Sequence, residues 1–279
     1  MKKKLLSIAA TIICAAFCLC GCSSKPALEQ IKESGRLVVY TNALYPPFEY
    51  TEDTMEQTLM GVDMDIMNAI CSDLGVEPQY RNISFSAVIS SVSVSKNAVA
   101  ISAISITDER REKVDFSVPY YVSEKKILLP AESDVKCLED LAGKTVGAEA
   151  GSTSETVLLD AINGNDKTPN SFANGVLIGS STNRREFTSG VNAIKGLADG
   201  TIDALIIDGE IAEYAVAENR GMVAVPLTLR DGSTYREEYA VAVPKNNPEL
   251  LAEINKTIER LKNDGEIDVF LRSHFDSIK

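Results

Sequence analysis

One stretch of the chain, residues 99–121, carries the residue types needed to bind a small anion. A β-branched apolar run at its start predicts a buried strand, and the small hydroxyl residues Ser102 and Ser105 predict a loop. Thr107 is typical of a helix N-cap. Backbone N–H groups are free at a helix start, and the guanidinium of Arg110 can hold a carboxylate by two parallel hydrogen bonds. The alternative is that Arg110 belongs to a solvated run of surface charges.

A second strand-to-helix junction follows later in the chain. Residues 145–148 are predicted as a strand, and Gly151-Ser152-Thr153-Ser154-Glu155 is typical of a helix start. In the local interpretation, Ser152 is only an N-cap and Glu155 completes a capping box. Capping is compatible with anion binding, because an anion can occupy the position that the cap leaves open.

Strands and helices alternate along the chain and must position these junctions. The apolar periodicity predicts strands at residues 36–41, 77–82, 99–101, 114–116, 145–148, 204–207, 222–227 and 239–244, and helices at 28–34, 62–74, 85–94, 188–199, 209–218, 248–262 and 267–275. This alternation predicts an α/β fold with mostly parallel sheets. At the start of the helix over 62–74, we expect Asp63 to be the cap and Asp65 to complement the dipole, rather than a metal site.

The composition limits the classes of function. A chain of 279 residues that is 44 % apolar can bury a core in each of two lobes, and a net charge of −12 argues against nucleic acid as a partner. His274 is the one histidine, which excludes His-based triads and multi-His metal sites, and no phosphate loop or dinucleotide fingerprint is present. We therefore expect no metal and no cofactor. Cys71 and Cys137 are expected to be independent thiols rather than a disulfide.

The N-terminus has the pattern of an export signal. Lys2–Lys4 precede an apolar run of 15 residues, shorter than the roughly 20 that span a membrane. The tetrapeptide ending at Cys22 resembles the lipobox of bacterial lipoproteins, with Cys20 as a departure where a small Ala or Ser is more usual. We expect a lipoprotein signal peptide over residues 1–21, a lipidated Cys22 that anchors the protein at the outer face of the cell membrane, and a tether over 22–27. The alternative for Cys22 is an ordinary signal-peptide cysteine.

The order of the motifs resembles that of a known family. Ser-x-x-Ser-Ile-Thr-x-x-Arg over 102–110, followed by Val-Asp-Phe-Ser-x-Pro-Tyr-Tyr, is similar to the signature of the bacterial extracellular solute-binding proteins, family 3, the polar amino acid receptors of ABC importers. Tyr45–Glu49, Gly61–Ile66 and Gly151–Glu155 match further motifs, and the resemblance covers nearly all of Leu28–Phe275. Relatives usually have a Gly-x-x-Asp pair before the strand at Val99, which this chain lacks.

This resemblance implies a two-lobed α/β fold of the periplasmic-binding-protein type II, in which two crossing strands form the hinge. The first lobe would comprise residues 28–123 and 239–279, and the second lobe residues 124–238. The protein would act as a monomer that closes around its ligand and presents the closed form to the permease subunits of an ABC importer in the membrane.

The resemblance also assigns residues to the two charged ends of an amino acid. Arg110 would hold the ligand's carboxylate, helped by the hydroxyl and N–H groups of Ser152 and Thr153. Asp208 would pair with the α-ammonium, and a plain helix N-cap is the alternative for this residue. Two further ligand contacts would come from the carbonyl of Ser102 and the hydroxyl of Ser105.

The ligand's side chain would meet a different set of residues. Tyr45 and Phe85 would close over it from opposite sides, and the alternative for Tyr45 is packing within a rigid, proline-rich loop. Asn42 and Glu149 fall near the specificity subsite of the family. Asn42 stands where receptors for basic ligands often carry an acid, and Glu149 can supply one. The sequence favours a polar or moderately large amino acid without identifying it.

Two other functions remain open on the sequence alone. Some dehydratases share this fold, so a carboxylate-based lyase that uses Glu149 is one alternative to a binding protein, although we expect no enzyme. A lipoprotein that senses a ligand without transporting it is the other alternative.

Overall fold

The structure, a computed structural model, describes residues 25–51, 58–168 and 171–277. The expected signal peptide, Cys22 and the first part of the tether lie outside the described residues. No helix in the described ranges is both long enough and apolar enough to cross a lipid bilayer.

Helices and strands alternate through most of these ranges, with bounds close to those expected. The helices are α1 Ala27–Ser34, α2 Val62–Leu74, α3 Phe85–Ser93, α4 Asp108–Lys113, α5 Thr153–Asn163, α6 Gly190–Ala198, α7 Gly209–Glu218, α8 Pro248–Asn263 and α9 Glu266–Ser277. The strands are β1 Arg36–Thr41, β2 Tyr50–Thr51, β3 Leu59–Met60, β4 Glu77–Asn82, β5 Ala98–Ala100, β6 Val114–Phe116, β7 Tyr121–Pro130, β8 Thr145–Glu149, β9 Asn183–Phe187, β10 Ala204–Asp208, β11 Met222–Pro226, β12 Arg236–Tyr239 and β13 Ala242–Pro244.

The first lobe is built on a sheet in the order β4-β1-β5-β13-β6. Strands β4, β1 and β5 are parallel, and β13 runs antiparallel to β5 and β6. Apolar faces of α2, α8 and α9 cover one side of this sheet, and α3 covers the other side through Val88 and Val92. Because β13, α8 and α9 come from the C-terminal part of the chain, both ends of the described chain contribute to this lobe.

The second lobe is built on a sheet in the order β11-β7-β10-β8-β9. Strands β10, β8 and β9 are parallel, whereas β7 is antiparallel to β10 and β11. Helix α5 packs on one face through Val157 and Leu158, and α6 and α7 pack on the other through Leu197 and Ile211. Each sheet is thus covered on both faces, as expected for α/β proteins with mostly parallel strands.

The two crossing strands between the lobes pair with each other. Strand β12 runs antiparallel to the start of β7, with Glu237 opposite Ser123 and Tyr239 opposite Tyr121. The strand expected over 239–244 is interrupted, because β12 ends at Tyr239 and β13 begins at Ala242. The prediction of a mixed α/β fold is correct, whereas the lobe boundaries at 123/124 and 238/239 stay a prediction.

The role expected for Asp63 is wrong. The N-cap of α2 is Gly61, and no side chain caps this helix. Gly61 has φ +126°, and a Cβ at this position would lie 2.0 Å from the carbonyl oxygen of Phe48, so only glycine fits. The fully buried carboxylate of Asp63 instead accepts the backbone N–H of Ala103 at 2.7 Å. Asp63 therefore fixes the loop after β5.

Both cysteines that the structure describes are free thiols, as expected. Cys71 is buried in α2 of the first lobe, and burial raises the pKa of its thiol to about 12. Cys137 lies in the second lobe, at the N-cap of a 3-10 turn over Leu138–Leu141.

Candidate functional site

A narrow cavity with an accessible volume of about 20 Å³ lies between the lobes, near the carboxyl ends of β1, β5, β8 and β10. Ligands bind at this edge of open α/β sheets because the strand ends and the following loops leave a crevice there. Twelve residues line the cavity, and they include all ten that the sequence singled out: Asn42, Tyr45, Phe85, Ser102, Ser105, Arg110, Glu149, Ser152, Thr153 and Asp208. The other two are Glu49 and Ala103.

The guanidinium of Arg110 is buried and joins the two lobes. Its helix α4 begins at the N-cap Thr107, whose hydroxyl accepts the N–H of Arg110 at 3.2 Å. Nη1 donates to the carbonyl of Ser105 at 2.7 Å, and Nη2 donates across the cleft to the carbonyl of Gly151 at 3.0 Å. The guanidinium carbon lies 5.5 Å from the ring centre of Phe85. Arg110 is 8 % exposed, so the alternative of a solvated surface charge is wrong for this residue.

Asp208 ends β10 and occupies the N-cap position of α7, but its side chain makes no capping bond. Its carboxylate instead accepts hydrogen bonds from the ammonium of Lys125 and, across the cleft, from the hydroxyl of Tyr45. Burial alone would raise the pKa of Asp208, yet the charge of Lys125 lowers this pKa overall. The side chain is therefore a carboxylate at neutral pH.

Lys125 is a buried cation that sequence reasoning missed. It is 1 % exposed and bonds Asp208 and, at 2.7 Å, Glu237. Although burial opposes the ammonium form, these two carboxylates raise the pKa of Lys125 above its ordinary value. Glu237 also accepts the hydroxyl of Thr153 at 2.7 Å. Alternation along β7 was the available signal, because Ser123, Lys125 and Ile127 share the buried face.

Glu49, which the sequence analysis did not single out as a site residue, and Asp63, which it expected to be a helix cap, support the loop after β5. Glu49 accepts the hydroxyl of Ser102 at 2.7 Å, and Ser102 in turn accepts the backbone N–H of Asn42 at 3.1 Å. Burial raises the pKa of Glu49, and the charge of Asp63 raises it further. Burial also raises the pKa of Asp63 to about 7. The two buried carboxyl groups thus favour holding a proton while they anchor both sides of this loop.

The helix start at Ser152 combines capping with lobe contact. The Ser152 hydroxyl accepts the N–H of Glu155 at 3.2 Å and donates to the carbonyl of Glu149 at 2.7 Å. The expected capping box is displaced by one residue, because the Glu155 carboxylate accepts the N–H of Gly151 at 2.8 Å. The turn therefore presents the Gly151 carbonyl to Arg110.

Glu149 and Asn42, which the sequence analysis expects near the specificity subsite, both line the cavity. Glu149 ends β8 and is 9 % exposed. Burial and the neighbouring charge of Asp208 raise its pKa to about 8, although a hydrogen bond from the backbone of Gly190 opposes this rise. The amide of Asn42 donates to the carbonyl of Ile83 at 2.7 Å, which fixes its orientation.

Two α/β lobes around a buried, charged cavity define the class of two-lobed solute-binding proteins. Within that class, the chain belongs to the bacterial extracellular solute-binding proteins, family 3, whose profile matches residues 37–277. The L-cystine-binding protein TcyJ of Escherichia coli K12 is 26 % identical over 277 residues, which cover 98 % of this chain and 95 % of that protein.

Solved structures agree with this family assignment. The substrate-binding protein AbpA of an amino acid ABC transporter from Streptococcus pneumoniae Canada MDR_19A, bound to L-arginine, is 33 % identical with a TM-score of 0.77 and covers 90 % of this chain and 98 % of its own. The ancestral amino acid-binding protein AncCDT-1, a precursor of cyclohexadienyl dehydratase, is 27 % identical with a TM-score of 0.75 and covers 89 % and 99 %. These neighbours confirm the two-lobed fold expected from the sequence.

Proposed function

We propose that this protein is the receptor of an amino-acid ABC importer and binds a zwitterionic amino acid between lobes formed by residues 28–123 with 239–279 and by residues 124–238. The observation that carries the proposal is the convergence of Arg110 and Asp208, from opposite lobes, on one buried cavity. The similarity to an amino acid receptor with bound arginine supports it.

The physical requirement is charge matching. Taking a zwitterion out of water is unfavourable unless both charges meet partners. Arg110 meets the ligand's carboxylate, with the N–H groups at the start of α5 and the hydroxyls of Ser105 and Ser152 nearby. Asp208 meets the α-ammonium, and the carbonyl of Ser102 accepts from the same group. Tyr45 and Phe85 enclose the side chain.

The two lobes close on the ligand because the residues that bind it are divided between them. Only the closed arrangement brings Arg110 and Asp208 to the same ligand, so the ligand shifts a hinge equilibrium toward closure. The paired strands β7 and β12 are the hinge, and the closed form, as a monomer, is the form that the permease subunits recognise.

The protein acts at the outer face of the cell membrane. The N-terminal pattern supports export, and Cys22, as the lipidated residue of the mature chain, anchors the protein. Two or more acyl chains are sufficient for stable attachment.

A carboxylate-based dehydratase is the second candidate function. The raised pKa of Glu149, which makes it a potential proton donor, and the similarity to AncCDT-1 favour this candidate. Incubation of the full chain with prephenate or arogenate tests it: we expect no turnover, and product formation would replace the receptor proposal with an enzyme.

A thermal-shift screen of the full chain with the twenty amino acids and cystine tests the receptor proposal. A ligand that binds only the native state raises the melting temperature. We expect at least one amino acid to do so, and Arg110→Ala to weaken its binding by about 3–5 kcal/mol, the effect of leaving a buried charge without its partner. Arg111→Ala is the matched control because the neighbouring Arg111 is exposed. No shift with any amino acid, or unchanged calorimetric affinity in Arg110→Ala, would contradict the proposal.

A further inference from the structure

The charged groups in and behind the cavity do not balance one another. The cations are Arg110 and Lys125, and the carboxyl groups are Asp208, Glu237, Glu149 and Glu49, of which Glu49 favours its protonated form because burial raises its pKa. Lys125 lies between Asp208 and Glu237 and is shared by both. With Glu49 protonated and the other groups ionised, the set would carry one negative charge more than positive charge, and a proton on Glu149 removes this excess.

Apart from the protonated Glu49, Glu149 is the carboxyl group of this set without a bonded cation. Among the described residues, no lysine, arginine or histidine forms a salt bridge with its carboxylate, whereas Asp208 and Glu237 both bond Lys125. Its surroundings are Asp208 on β10, Tyr45 and Glu49 on the loop after β1, the Gly190 backbone of α6, and Lys125 on β7 beyond Asp208. The like charge of Asp208 makes the excess negative charge at Glu149 more unfavourable.

The cavity also continues past Glu149. A second narrow cavity, also with an accessible volume of about 20 Å³, shares Tyr45, Glu149, Ser152 and Asp208 with the first and extends toward α6. A ligand held at Arg110 and Asp208 by its α-carboxylate and α-ammonium would direct the end of its side chain toward this second cavity, which has room for about one water and must widen to admit a side chain. Glu149 lies on the border between the two cavities, where that side chain would pass.

A zwitterionic ligand leaves this balance unchanged, since its carboxylate and ammonium cancel. A ligand with one more positive charge can replace the proton on Glu149, so that the set stays neutral with Glu149 ionised. We propose that Glu149 is a specificity-determining residue that selects amino acids with a cationic side chain, either a guanidinium or an ammonium group. This inference rests on the proposed function, because it uses Arg110 and Asp208 as the sites of the ligand's α-groups.

Two pairs of probes with nearly the same shape test the selection by calorimetry on the full chain. L-arginine is compared with L-citrulline, whose ureido group is neutral, and L-lysine with L-norleucine. We expect the cationic member of at least one pair to bind on the order of 100-fold more tightly, which is typical of a buried charge pair. In Glu149→Gln this preference is lost, and Glu149→Asp restores part of it.

Glu213→Gln is the matched control. It removes the same charge from the second lobe, but Glu213 is exposed on α7 and bonds Lys126 outside the cavity. We expect both ligand affinities to stay as in the wild type. Equal loss of preference in Glu213→Gln and Glu149→Gln would overturn the proposal, because the effect would then come from net charge rather than from a contact.

Proton release gives a second measurement that separates a contact from a structural effect. Because the Glu149 carboxyl holds its proton near neutral pH, pairing with a ligand cation releases that proton. Calorimetry at pH 7 in two buffers of different ionisation enthalpy should give about one more proton released for arginine or lysine than for its neutral partner. Glu149→Gln should abolish this difference.

The outcomes separate this inference from the proposed function. Binding of amino acids without any preference for the cationic members contradicts the inference and leaves the receptor proposal in place. If none of the twenty amino acids or cystine binds, the receptor proposal itself fails. A preference that persists in a folded Glu149→Gln protein, as judged by its unchanged circular dichroism, also overturns the inference.

Discussion

Lys125 shows how one side chain can join three strands of the hinge region. It extends from β7 to Asp208 on β10 and to Glu237 on β12, with its ammonium 1 % exposed. A buried ion pair contributes little net stability compared with an apolar pair, but removal of one partner leaves the other charge buried and unpaired. The cluster of Lys125, Asp208 and Glu237 therefore holds the end of β10 against the crossing strands β7 and β12.

Replacement of this cation should destabilise the protein strongly. We expect Lys125→Met to lower the free energy of unfolding by about 3–5 kcal/mol at pH 7, because two buried carboxyl groups lose their common partner. Urea denaturation measures the change. The neighbouring Lys126 bonds the exposed Glu213, so Lys126→Met should cost at most about 1 kcal/mol. Equal effects of the two variants would contradict the role given to the buried ammonium.

The cluster of Lys125, Asp208 and Glu237 should stabilise the fold less as the pH falls. Lys125 lowers the pKa of Asp208 in the folded protein, so this group stabilises the fold above the unfolded pKa near 3.9. That contribution is lost as the pH falls through the lower, folded pKa of Asp208. In Lys125→Met the loss should begin at a higher pH, which acid titration of unfolding followed by circular dichroism would detect.

At the residue scale, motif order predicted more than residue type did. Arg110 was found because it ends a recognisable motif, and Asp208 was assigned by the family resemblance at the end of a predicted strand. Lys125 and Glu237 were not found, because each lies in a charged segment where exposed and buried positions contain similar residues. Alternation counted from the apolar Ile127 was the available signal for Lys125, but it is masked because the flanking Glu124 and Lys126 are equally polar.

At the scale of elements, the loop after β5 depends on two neighbouring elements. Ala103 has φ +44°, which is unusual for a residue with a Cβ. Glu49 on the loop after β1 and Asp63 on α2 hold this loop through Ser102 and the N–H of Ala103. The glycine that opens α2 allows Asp63 to reach the loop, so the motif over Gly61–Asp65 supports the site from behind.

The buried carboxyl pair of Glu49 and Asp63 should make the free energy of unfolding fall as the pH rises. Burial raises the pKa of Asp63 to about 7, above the unfolded value near 3.9. The stabilising contribution of the protonated form is complete below pH 4 and is lost as the pH rises toward 7. Asp63→Asn, an uncharged replacement of similar shape, should flatten the dependence of the unfolding free energy on pH across this window.

The measurement is urea denaturation at pH 4, 5, 6 and 7. One proton bound only by the folded state corresponds to a slope of about 1.4 kcal/mol per pH unit, which Asp63→Asn should reduce. Glu77→Gln is the control, because Glu77 is exposed at the start of β4 in the same lobe. An unchanged slope in Asp63→Asn would show that the pair does not hold a proton in the folded state.

Element boundaries were predictable where caps and glycines are distinct. Thr107 and Ser152 are N-caps as expected, and Gly75 ends α2 with φ +73°. Asp63 was wrongly predicted to be the N-cap of α2 because aspartate is typical of that position. Only the packing of Gly61 against Phe48 shows where α2 begins. A short-range pattern cannot contain that contact, since Phe48 lies 13 residues earlier in the chain.

At the scale of the whole molecule, alternation of strands and helices was enough to predict an α/β fold, and the family resemblance implied its division into two lobes. The return of the chain from the second lobe to the first was also expected near residue 239. Pairing between β7 and β12 was not predicted, because the two strands are more than a hundred residues apart and adjacency between such segments is a tertiary property. The hinge is thus a paired ribbon rather than two separate linkers.

The contact between the lobes leaves little room for a side chain at Gly151. This residue belongs to the second lobe, has φ +76°, and accepts Arg110 from the first lobe. A Cβ at this position would lie 3.0 Å from the Cα of Ser86 at the start of α3. Since the nearest atom is backbone, the two lobes would have to move apart to admit a methyl group.

Gly151→Ala should therefore oppose closure without touching the rest of the cavity. We expect ligand affinity to fall roughly tenfold, or about 1.4 kcal/mol, because part of the binding free energy is used to reach a strained closed form. Gly200→Ala is the matched control, since Gly200 also has positive φ, +67°, but a Cβ there would meet no atom within 4 Å. Both variants incur the cost of a left-handed alanine, about 1–2 kcal/mol, and only the first should weaken binding. Calorimetry gives the affinities, and small-angle scattering with saturating ligand gives the shape: a Gly151→Ala protein that closes as fully and binds as tightly as the Gly200→Ala protein would show that this contact does not limit closure.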